Sequence, residues 1–550
     1  MPNYYVVSDI EECDISLDNI EPEENKKYIT VGLLDSGIEK IPQYTSWLDA
    51  EKYSPFPEEY VNKTHGTFVT GIILFGDKLE NKKWTGVHGF KIFDATVIPD
   101  EKKEKIYEDD LINNIREAIE MKYQEISILN LSVSIPIEID NDNFSDLGIA
   151  LDELQSQYNI LICKSAGNCT NFKKNLPKGK IVHGADSIRS LVVGSVAHEK
   201  NINDESDVDQ PSPFTRIGPG PAFIIKPDIV HYGGNANKET YTGVKTFDTN
   251  GNIIKTIGTS FATPRITSLA AEIYQELNED FDPLLLKGLI IHSANYPSNI
   301  DMSQQDKINQ LGFGKPKSVN DIIFNYPNEA TLILRDNLAK GEYINIMDFP
   351  MPKELVNNGF YTGQITVTLV TDPILDSSQD NEYCQSEINV KLGTYSRKIQ
   401  RDTSKRHILN ELWRDESQNI LLERLYSTRI RKNNNSDFAN KERMLIQYRD
   451  KYHPVKKYAV DLSEMTEANK NRFLLQDRQW FLNIEGIYRS FIEDKAKRGS
   501  FDLNQEFCLI MTIKDSENNI NVYDKVTQRL NEFNFLHSNI KLATDIDISI

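Results

Sequence analysis

Short apolar runs alternate with segments of helical period from residue 28 to about 325, and this alternation constrains the fold more than any other feature. Continuous apolar runs of this length are typical of strands buried on both faces. Because consecutive parallel strands need a crossover connection, usually a helix, the repetition predicts an α/β fold in which a parallel sheet lies between two layers of helices. The predicted strands are 28–35, 91–97, 126–132, 159–165 and 190–196, and the predicted helices are 65–75, 109–122, 146–157, 260–277 and 282–293.

A second domain is expected from 326 to 550, since 550 residues exceed one ordinary core and the pattern changes there. Helical signals become few, and the spacing of the apolar runs predicts an antiparallel β-sandwich resembling a jelly roll. The predicted strands are 331–335, 363–371, 387–392, 458–462, 479–485, 506–514 and 520–523.

Charge is unevenly distributed along the chain, whose formal net charge is −20. Residues 1–27 form an acidic leader, read either as a solvated extension or as a regulatory segment over the active site. Residues 391–457 hold 17 Lys or Arg against 8 Asp or Glu. This basic insert is read as solvated loops, or as a docking site for an acidic partner or for the leader. Nucleic acid is not an expected partner, because no recognition motif accompanies the charge.

The sequence also bears on localisation. The N-terminus has no basic flank followed by an apolar run, and no stretch approaches 18 apolar residues, so neither a signal peptide nor a membrane span is expected. The five cysteines are odd in number and widely spaced, without a CxxC pair. These features predict reduced thiols in a cytoplasmic protein.

Four side chains stand where a serine hydrolase would need them. Ser260 lies between small residues in 258–264, ahead of an apolar helix whose end offers free N–H groups. Asp35 follows an apolar strand, and His65 opens a helical segment. Asn168 lies in the loop just beyond a second apolar strand. Alone, each has a common structural reading as a turn, cap or loop residue. Together they supply a hydroxyl, a base, an orienting carboxylate and an oxyanion donor.

These motifs, in the order Asp, His, Asn, Ser, resemble the subtilisin-like serine proteases (subtilases, peptidase family S8), and the chain looks like an intracellular member. The resemblance covers about 28–320 and implies a subtilisin-like peptidase domain over 28–325. It implies that Asp35 orients His65, that His65 is the general base and acid, and that Ser260 is the nucleophile. The amide of Asn168 and the backbone N–H of Ser260 would then form the oxyanion hole.

The resemblance also implies how a polypeptide substrate binds. Residues 128–132 resemble the strand that pairs with the substrate backbone by strand addition. Ser134 stands where subtilases usually have glycine, and it is expected to narrow the pocket for the side chain before the scissile bond. Phe68 and Thr70 are further departures from the family pattern. The expected substrate-binding residues are Ser132, Val133, Ser134, Ser165, Ala166 and Gly167.

No cofactor or metal is expected to be required. Calcium is common in the family, and loops 201–209 and 140–146 are rich in Asp and Asn, but their spacing matches no recognisable calcium loop.

An unrestrained cytoplasmic protease would be harmful, so regulation by the leader, by the basic insert or by a protein partner, such as an ATPase, is expected. The roles considered are antiviral defence, maturation of a precursor peptide and housekeeping turnover. The alternative is a binding protein built on an inactive protease fold.

Overall fold

A computed structural model describes residues 21–23, 26–86, 89–277, 281–297, 300, 302–395, 419–427, 452–499, 501–533 and 535. Most of the acidic leader and most of the basic insert lie outside these residues. Contacts group the chain into two compact units. The first runs to Asn320 and includes the short segment Ser377–Tyr383, and the second comprises Asp321–Asp376 and the residues from Cys384 onward. The division proposed from the sequence, at residue 325, left that segment in the second domain.

A seven-stranded parallel sheet forms the centre of the first unit, in the order β2-β3-β1-β4-β6-β8-β9. Its strands are β1 (Thr30–Asp35), β2 (Leu48–Tyr53), β3 (Lys91–Thr96), β4 (Ile128–Leu131), β6 (Leu161–Ser165), β8 (Leu191–Val196) and β9 (Ile229–Tyr232). Short antiparallel pairs join β5 (Ile135–Glu138) to β7 (Val182–His183), β10 (Asn235–Ala236) to β11 (Tyr241–Thr242), and β12 (Val244–Phe247) to β13 (Ile253–Thr256).

Helices cover both faces of this sheet, as the strand–helix alternation predicted. On one face α2 (Glu108–Lys122) and α3 (Asp146–Tyr158) share an apolar cluster with β1, β3, β4 and β6. On the other face α4 (Thr259–Leu277) packs against the central strands and against α1 (Thr64–Glu80). The described residues that follow contain three further helices, α5 (Pro283–Ser293), α6 (Gln304–Leu311) and α7 (Val319–Ile323), and α7 spans the boundary between the two units.

The second unit contains two antiparallel sheets that share one apolar core, which confirms the predicted sandwich. One sheet has the order β14-β22-β18-β20, and the other β15-β21-β19. The strands, with the small pair β16–β17, are β14 (Glu329–Ala339), β15 (Tyr343–Ile346), β16 (Val356–Asn357), β17 (Phe360–Tyr361), β18 (Gln364–Asp372), β19 (Ser386–Tyr395), β20 (Val455–Asp461), β21 (Gln479–Tyr488) and β22 (Asn504–Lys514).

The sequence-based description of the second unit was wrong at 520–523, which was assigned to a strand. The side chain of Asn521 accepts a hydrogen bond from the backbone N–H of Asp524, and a helix begins at Val522. Val522 and Val526, one turn apart, are both buried, so the residues have helical and not strand period. Among the residues of this unit that the structure describes, three α-helices occur: α8 (Glu467–Phe473), α9 (Ser490–Gly499) and α10 (Val522–Glu532).

Among the described helices, none has both the length and the apolar character needed to cross a bilayer. Four of the five cysteines lie in described residues, and all four are buried free thiols: Cys163, Cys169, Cys384 and Cys508.

Candidate active site

Asp35 and His65 form a buried pair at the carboxyl edge of the parallel sheet. Asp35 is the last residue of β1, and His65 lies in the first turn of α1. The Asp35 Oδ1 atom lies 2.7 Å from the His65 Nδ1 atom, and the side chains are 1% and 2% exposed. The same carboxylate oxygen accepts the backbone N–H of Ser36 at 2.8 Å. A carboxylate fixed in this way orients the imidazole ring.

A glycine contact brings the strand and the helix close enough for this pair. A Cβ atom on Gly66 would lie 2.2 Å from the carbonyl oxygen of Gly37, so only glycine fits at the start of α1. The backbone N–H of Gly66 also donates to Ser36 Oγ at 3.3 Å. On its other side the His65 ring packs against Phe261, with the ring centroids 5.6 Å apart. Because Phe261 follows Ser260, the helix start of α4 lies beside His65.

Ser260 is the second residue of α4 and is 3% exposed. Its hydroxyl donates to the backbone carbonyl of Ser132 at 3.0 Å, and the Ser132 hydroxyl donates to the Ser260 carbonyl at 3.1 Å. These reciprocal bonds fix the start of α4 to the residue that follows β4. The first N–H groups of a helix have no partner within the helix, so this position favours developing negative charge.

Asn168 lies beside the start of the same helix. Its Oδ1 atom accepts the backbone N–H of Thr259 at 2.8 Å and the Thr259 hydroxyl at 3.2 Å. Its backbone carbonyl accepts a bond from Arg216 Nε at 2.8 Å. The Nδ2 atom points toward Gly258, where a Cβ atom would be 3.3 Å away. The amide oxygen is therefore occupied, and the amide N–H₂ is the end of Asn168 available to an oxyanion.

The two segments expected to bind substrate lie in direct contact. Ser134 Oγ is 3.2 Å from Ser165 Oγ, and Ser165 Oγ donates to the Ser132 carbonyl at 3.2 Å. The hydroxyl of Ser134 therefore reaches the opposite segment, at a position where glycine would have left space. Val133, Ala166 and Gly167 complete the two segments, which leave the sheet after β4 and β6.

The expectation that residues 128–132 pair with the substrate backbone was wrong for 128–131. These residues form β4, which is hydrogen-bonded to β1 on one side and to β6 on the other. A strand inside a sheet has both edges occupied and cannot receive another strand. The part of this expectation that concerns Ser132 is not contradicted, because the chain leaves the sheet beyond Leu131.

Sequence reasoning missed two charged side chains near this site, of which Lys164 is buried and Asp94 is partly buried. Lys164, in β6, donates from Nζ to Ser134 Oγ and to the Ser165 carbonyl, both at 2.9 Å. Burial lowers the Lys164 pKa to about 7, against the opposing effect of the Asp186 charge. Asp94, in β3, accepts the backbone N–H of Ile38 at 3.2 Å, and burial raises its pKa to about 6. The available signal was a charged residue inside each apolar run.

The acidic loops show no metal-binding geometry. Among the described residues, no group of three or more His, Cys, Asp or Glu side chains could hold a metal ion. Asp204 Oδ2 accepts bonds from the Asn201 N–H and the Thr242 hydroxyl, and Asp140 Oδ1 accepts the Asn143 N–H. Calcium binding stays an untested prediction.

A parallel sheet that presents a buried carboxylate–imidazole pair and a helix-mounted serine at its carboxyl edge is the arrangement of serine hydrolases. The model of the subtilase family matches residues 26–316, more than half of the 550 residues. The chain therefore belongs to the subtilase family, and it is a serine endopeptidase that acts on polypeptides.

Several individual proteins are similar to this chain. The uncharacterized protein y4bN of Sinorhizobium fredii (strain NBRC 101917 / NGR234) is 24% identical over 332 residues, which cover 51% of this chain and 75% of y4bN. The solved prenylagaramide maturation protease PagA is 23% identical, with 54% and 92% of the two chains covered and a TM-score of 0.38. The epidermin leader peptide processing serine protease EpiP from Staphylococcus aureus is 17% identical, with 54% and 75% covered and a TM-score of 0.38.

Proposed function

We propose that Ser260 is the nucleophile of this peptidase and that His65 and Asp35 activate it. The observation that carries this assignment is the buried 2.7 Å contact between Asp35 Oδ1 and His65 Nδ1, next to the helix that holds Ser260. In this proposal the Ser260 hydroxyl, which donates to the Ser132 carbonyl here, turns toward His65 when substrate binds. Catalytic hydrogen bonds commonly tighten only when substrate is bound, so the substrate-free orientation fits this role.

The chemistry then follows the two steps of acyl transfer. The Ser260 Oγ atom attacks the substrate carbonyl carbon while its proton passes to His65 Nε2, and Asp35 stabilises the resulting imidazolium. The substrate oxygen becomes an oxyanion that accepts hydrogen bonds from Asn168 Nδ2 and from the backbone N–H of Ser260. His65 returns the proton to the leaving amine, and water releases the acyl group through the same residues. This reaction uses no metal.

A variant of the proposed nucleophile tests the assignment. We expect Ser260→Ala to abolish both peptide hydrolysis and labelling by a fluorophosphonate probe, because no hydroxyl is left to acylate. Ser268→Ala is the matched control, since it removes a hydroxyl from the same helix that donates only to the carbonyls of Ile73 and Pro264. The assignment is wrong if Ser260→Ala still cleaves peptides at the parent rate.

We also propose that the enzyme works in the cytoplasm. The four described cysteines are unpaired thiols, and such thiols are typical of proteins kept in a reducing compartment. Fractionation of the producing cells tests this placement, and recovery of the protein only from an exported fraction would contradict it.

Regulation, antiviral defence and maturation of a precursor peptide stay predictions. Proteome-wide mapping of new N-termini in cells with the parent or the Ser260→Ala enzyme would distinguish these roles.

A further inference from the structure

Lys164 is a buried lysine whose hydrogen-bond acceptors are all neutral. The side chain is fully buried, and its Nζ atom donates to Ser134 Oγ and to the Ser165 carbonyl at 2.9 Å, with Ser165 Oγ at 3.4 Å. Gly184 makes room for the aliphatic stem, since a Cβ atom at residue 184 would lie 3.2 Å from Lys164 Cε. The fold therefore accommodates the whole side chain and directs its ammonium group to the two serines.

Among the described residues, the ammonium group of Lys164 has no counter-charge in direct contact. Asp186 is the nearby acid that favours the charged form of Lys164, but its oxygens accept bonds from Ser145 and from the Gly184 N–H. In the part of the chain that the structure describes, the hydrogen-bond acceptors of Lys164 Nζ are Ser134 and Ser165, and no carboxylate lies within ion-pair distance. A buried cation that has hydrogen-bond acceptors but no counter-charge is costly, and a bound carboxylate would offset that cost.

The position of Lys164 connects it to the proposed nucleophile. Ser132 accepts hydrogen bonds at its carbonyl from both Ser260 Oγ and Ser165 Oγ, and Ser165 is next to Lys164 in the chain. In the sheet Lys164 is opposite Leu131, at the point where β4 and β6 diverge. The ammonium group thus lies between the two segments that are expected to hold the side chain before the scissile bond.

We infer that Lys164 makes the peptidase selective for an acidic residue immediately before the scissile bond. This inference rests on the proposed function, because it needs Ser260 as the nucleophile. The substrate carboxylate takes the ammonium hydrogen bonds now made to Ser134, and the Ser134 and Ser165 hydroxyls rotate to donate to the same carboxylate. An apolar side chain at this position would leave the ammonium charge unbalanced and would face hydroxyl groups.

Cleavage specificity provides the test. The purified enzyme is first incubated with a proteome-derived peptide library, and the residues before the cleaved bonds are identified. A cleaved peptide with Glu at this position is then compared with its Gln counterpart. A hydrogen bond to a charged group supports a preference of about tenfold to a hundredfold in kcat/KM for Glu. Lys164→Met should reduce this ratio to about one, because methionine keeps the length of the side chain and removes its charge.

Lys287→Met is the matched control. Lys287 is also a buried lysine with a lowered pKa, but its Nζ atom donates to the carbonyls of Ile188 and Ser190 and lies near Asp228. We expect this variant to keep the Glu preference.

The inference is overturned if the parent enzyme cleaves the Gln peptide as well as the Glu peptide, or favours small or apolar residues. It is also overturned if a folded Lys164→Met variant keeps the Glu preference. If that variant does not fold, the ratio of kcat/KM for the Glu and Gln peptides in the parent enzyme alone decides whether the inference stands. Failure of the proposed function is distinguishable, since the enzyme would then cleave no peptide and would not be labelled at Ser260 by the fluorophosphonate probe.

Discussion

Asp94 is a partly buried carboxylic acid one strand away from the proposed catalytic carboxylate. One of its oxygens accepts the Ile38 N–H, and the other is buried without a hydrogen-bond partner. Burial raises its pKa from 3.8 to about 6, and the charge of Asp35 acts in the same direction. The folded state therefore binds this proton more readily than the unfolded state. The resulting penalty on stability is present above about pH 6 and fades as the pH falls toward 3.8.

We expect Asp94→Asn to stabilise the fold at pH 8, because asparagine keeps an oxygen for Ile38 and removes the buried charge. A pKa shift of this size corresponds to at most about 3 kcal/mol at pH 8, declining toward zero near pH 4. The measurement is denaturant unfolding at pH 8, 6 and 4.5 in a Ser260→Ala background, which prevents self-digestion. A gain in stability that is equal at all three pH values would contradict the explanation.

The motifs that hold the proposed catalytic residues could be found in the sequence, because each is a short run of adjacent residues with a defined chemistry. Asp35, His65, Asn168 and Ser260 each follow or open an apolar element, so their positions in the fold were predictable from local sequence. Lys164 and Asp94 were not predictable in the same way. Their properties depend on partners far away in the chain, such as Ser134 and Ile38, and on burial that only the tertiary structure creates.

The interior strands were predicted to within about three residues, because they are continuous apolar runs bounded by polar residues. The edge strand β2 was missed, since its sequence LDAEKY is half polar and its outer side faces solvent. Helix α10 was assigned to a strand because its first residues are apolar. The deciding signal there was the capping side chain of Asn521.

The start of α1 accommodates only glycine at residue 66. Alanine is a better helix former than glycine by about 1 kcal/mol, yet we expect Gly66→Ala to damage the enzyme. The added Cβ atom would lie 2.2 Å from the Gly37 carbonyl, so α1 must move away from the end of β1 and carry His65 away from Asp35. A displacement of about 1 Å at a catalytic group can cost about 100-fold in rate.

Peptide hydrolysis measured as kcat/KM tests this expectation. Gly76→Ala, in the same helix, is the control, since its Cβ atom would meet side-chain atoms of Arg265 and Ile72 at 3.0 Å or more. If both alanine variants retain parent activity, close contact between Gly66 and Gly37 is not what positions His65.

The first compact unit, called the peptidase unit because it holds the residues that match the subtilase family, is not one continuous stretch of sequence. The segment Ser377–Tyr383 groups with the first unit, although it lies between strands of the sandwich. The Tyr383 ring packs on Phe144 with centroids 4.6 Å apart, and its hydroxyl donates to Asp152 Oδ2 at 3.2 Å. Stability of the peptidase unit therefore depends on residues from the second half of the chain.

We expect Tyr383→Ala to destabilise the peptidase unit by about 3 kcal/mol, because it removes a buried aromatic ring. Tyr383→Phe keeps the ring and loses only the hydrogen bond, which is worth about 1 kcal/mol. Loss of fluorophosphonate labelling during heating reports on the peptidase unit specifically. Equal thermal profiles for the parent and Tyr383→Ala would show that the segment contributes nothing to this unit.

The buried thiols have a consequence for measuring how each unit opens. Cys163 and Cys169 belong to the first unit, and Cys384 and Cys508 belong to the second. Burial raises the Cys163 pKa to about 12, so this sulfur carries almost no thiolate at neutral pH while the unit stays closed. A short pulse of an alkylating reagent, read peptide by peptide by mass spectrometry, therefore times the opening of each unit separately. The four described thiols, two in each unit, therefore report the opening rate of each unit without any introduced label.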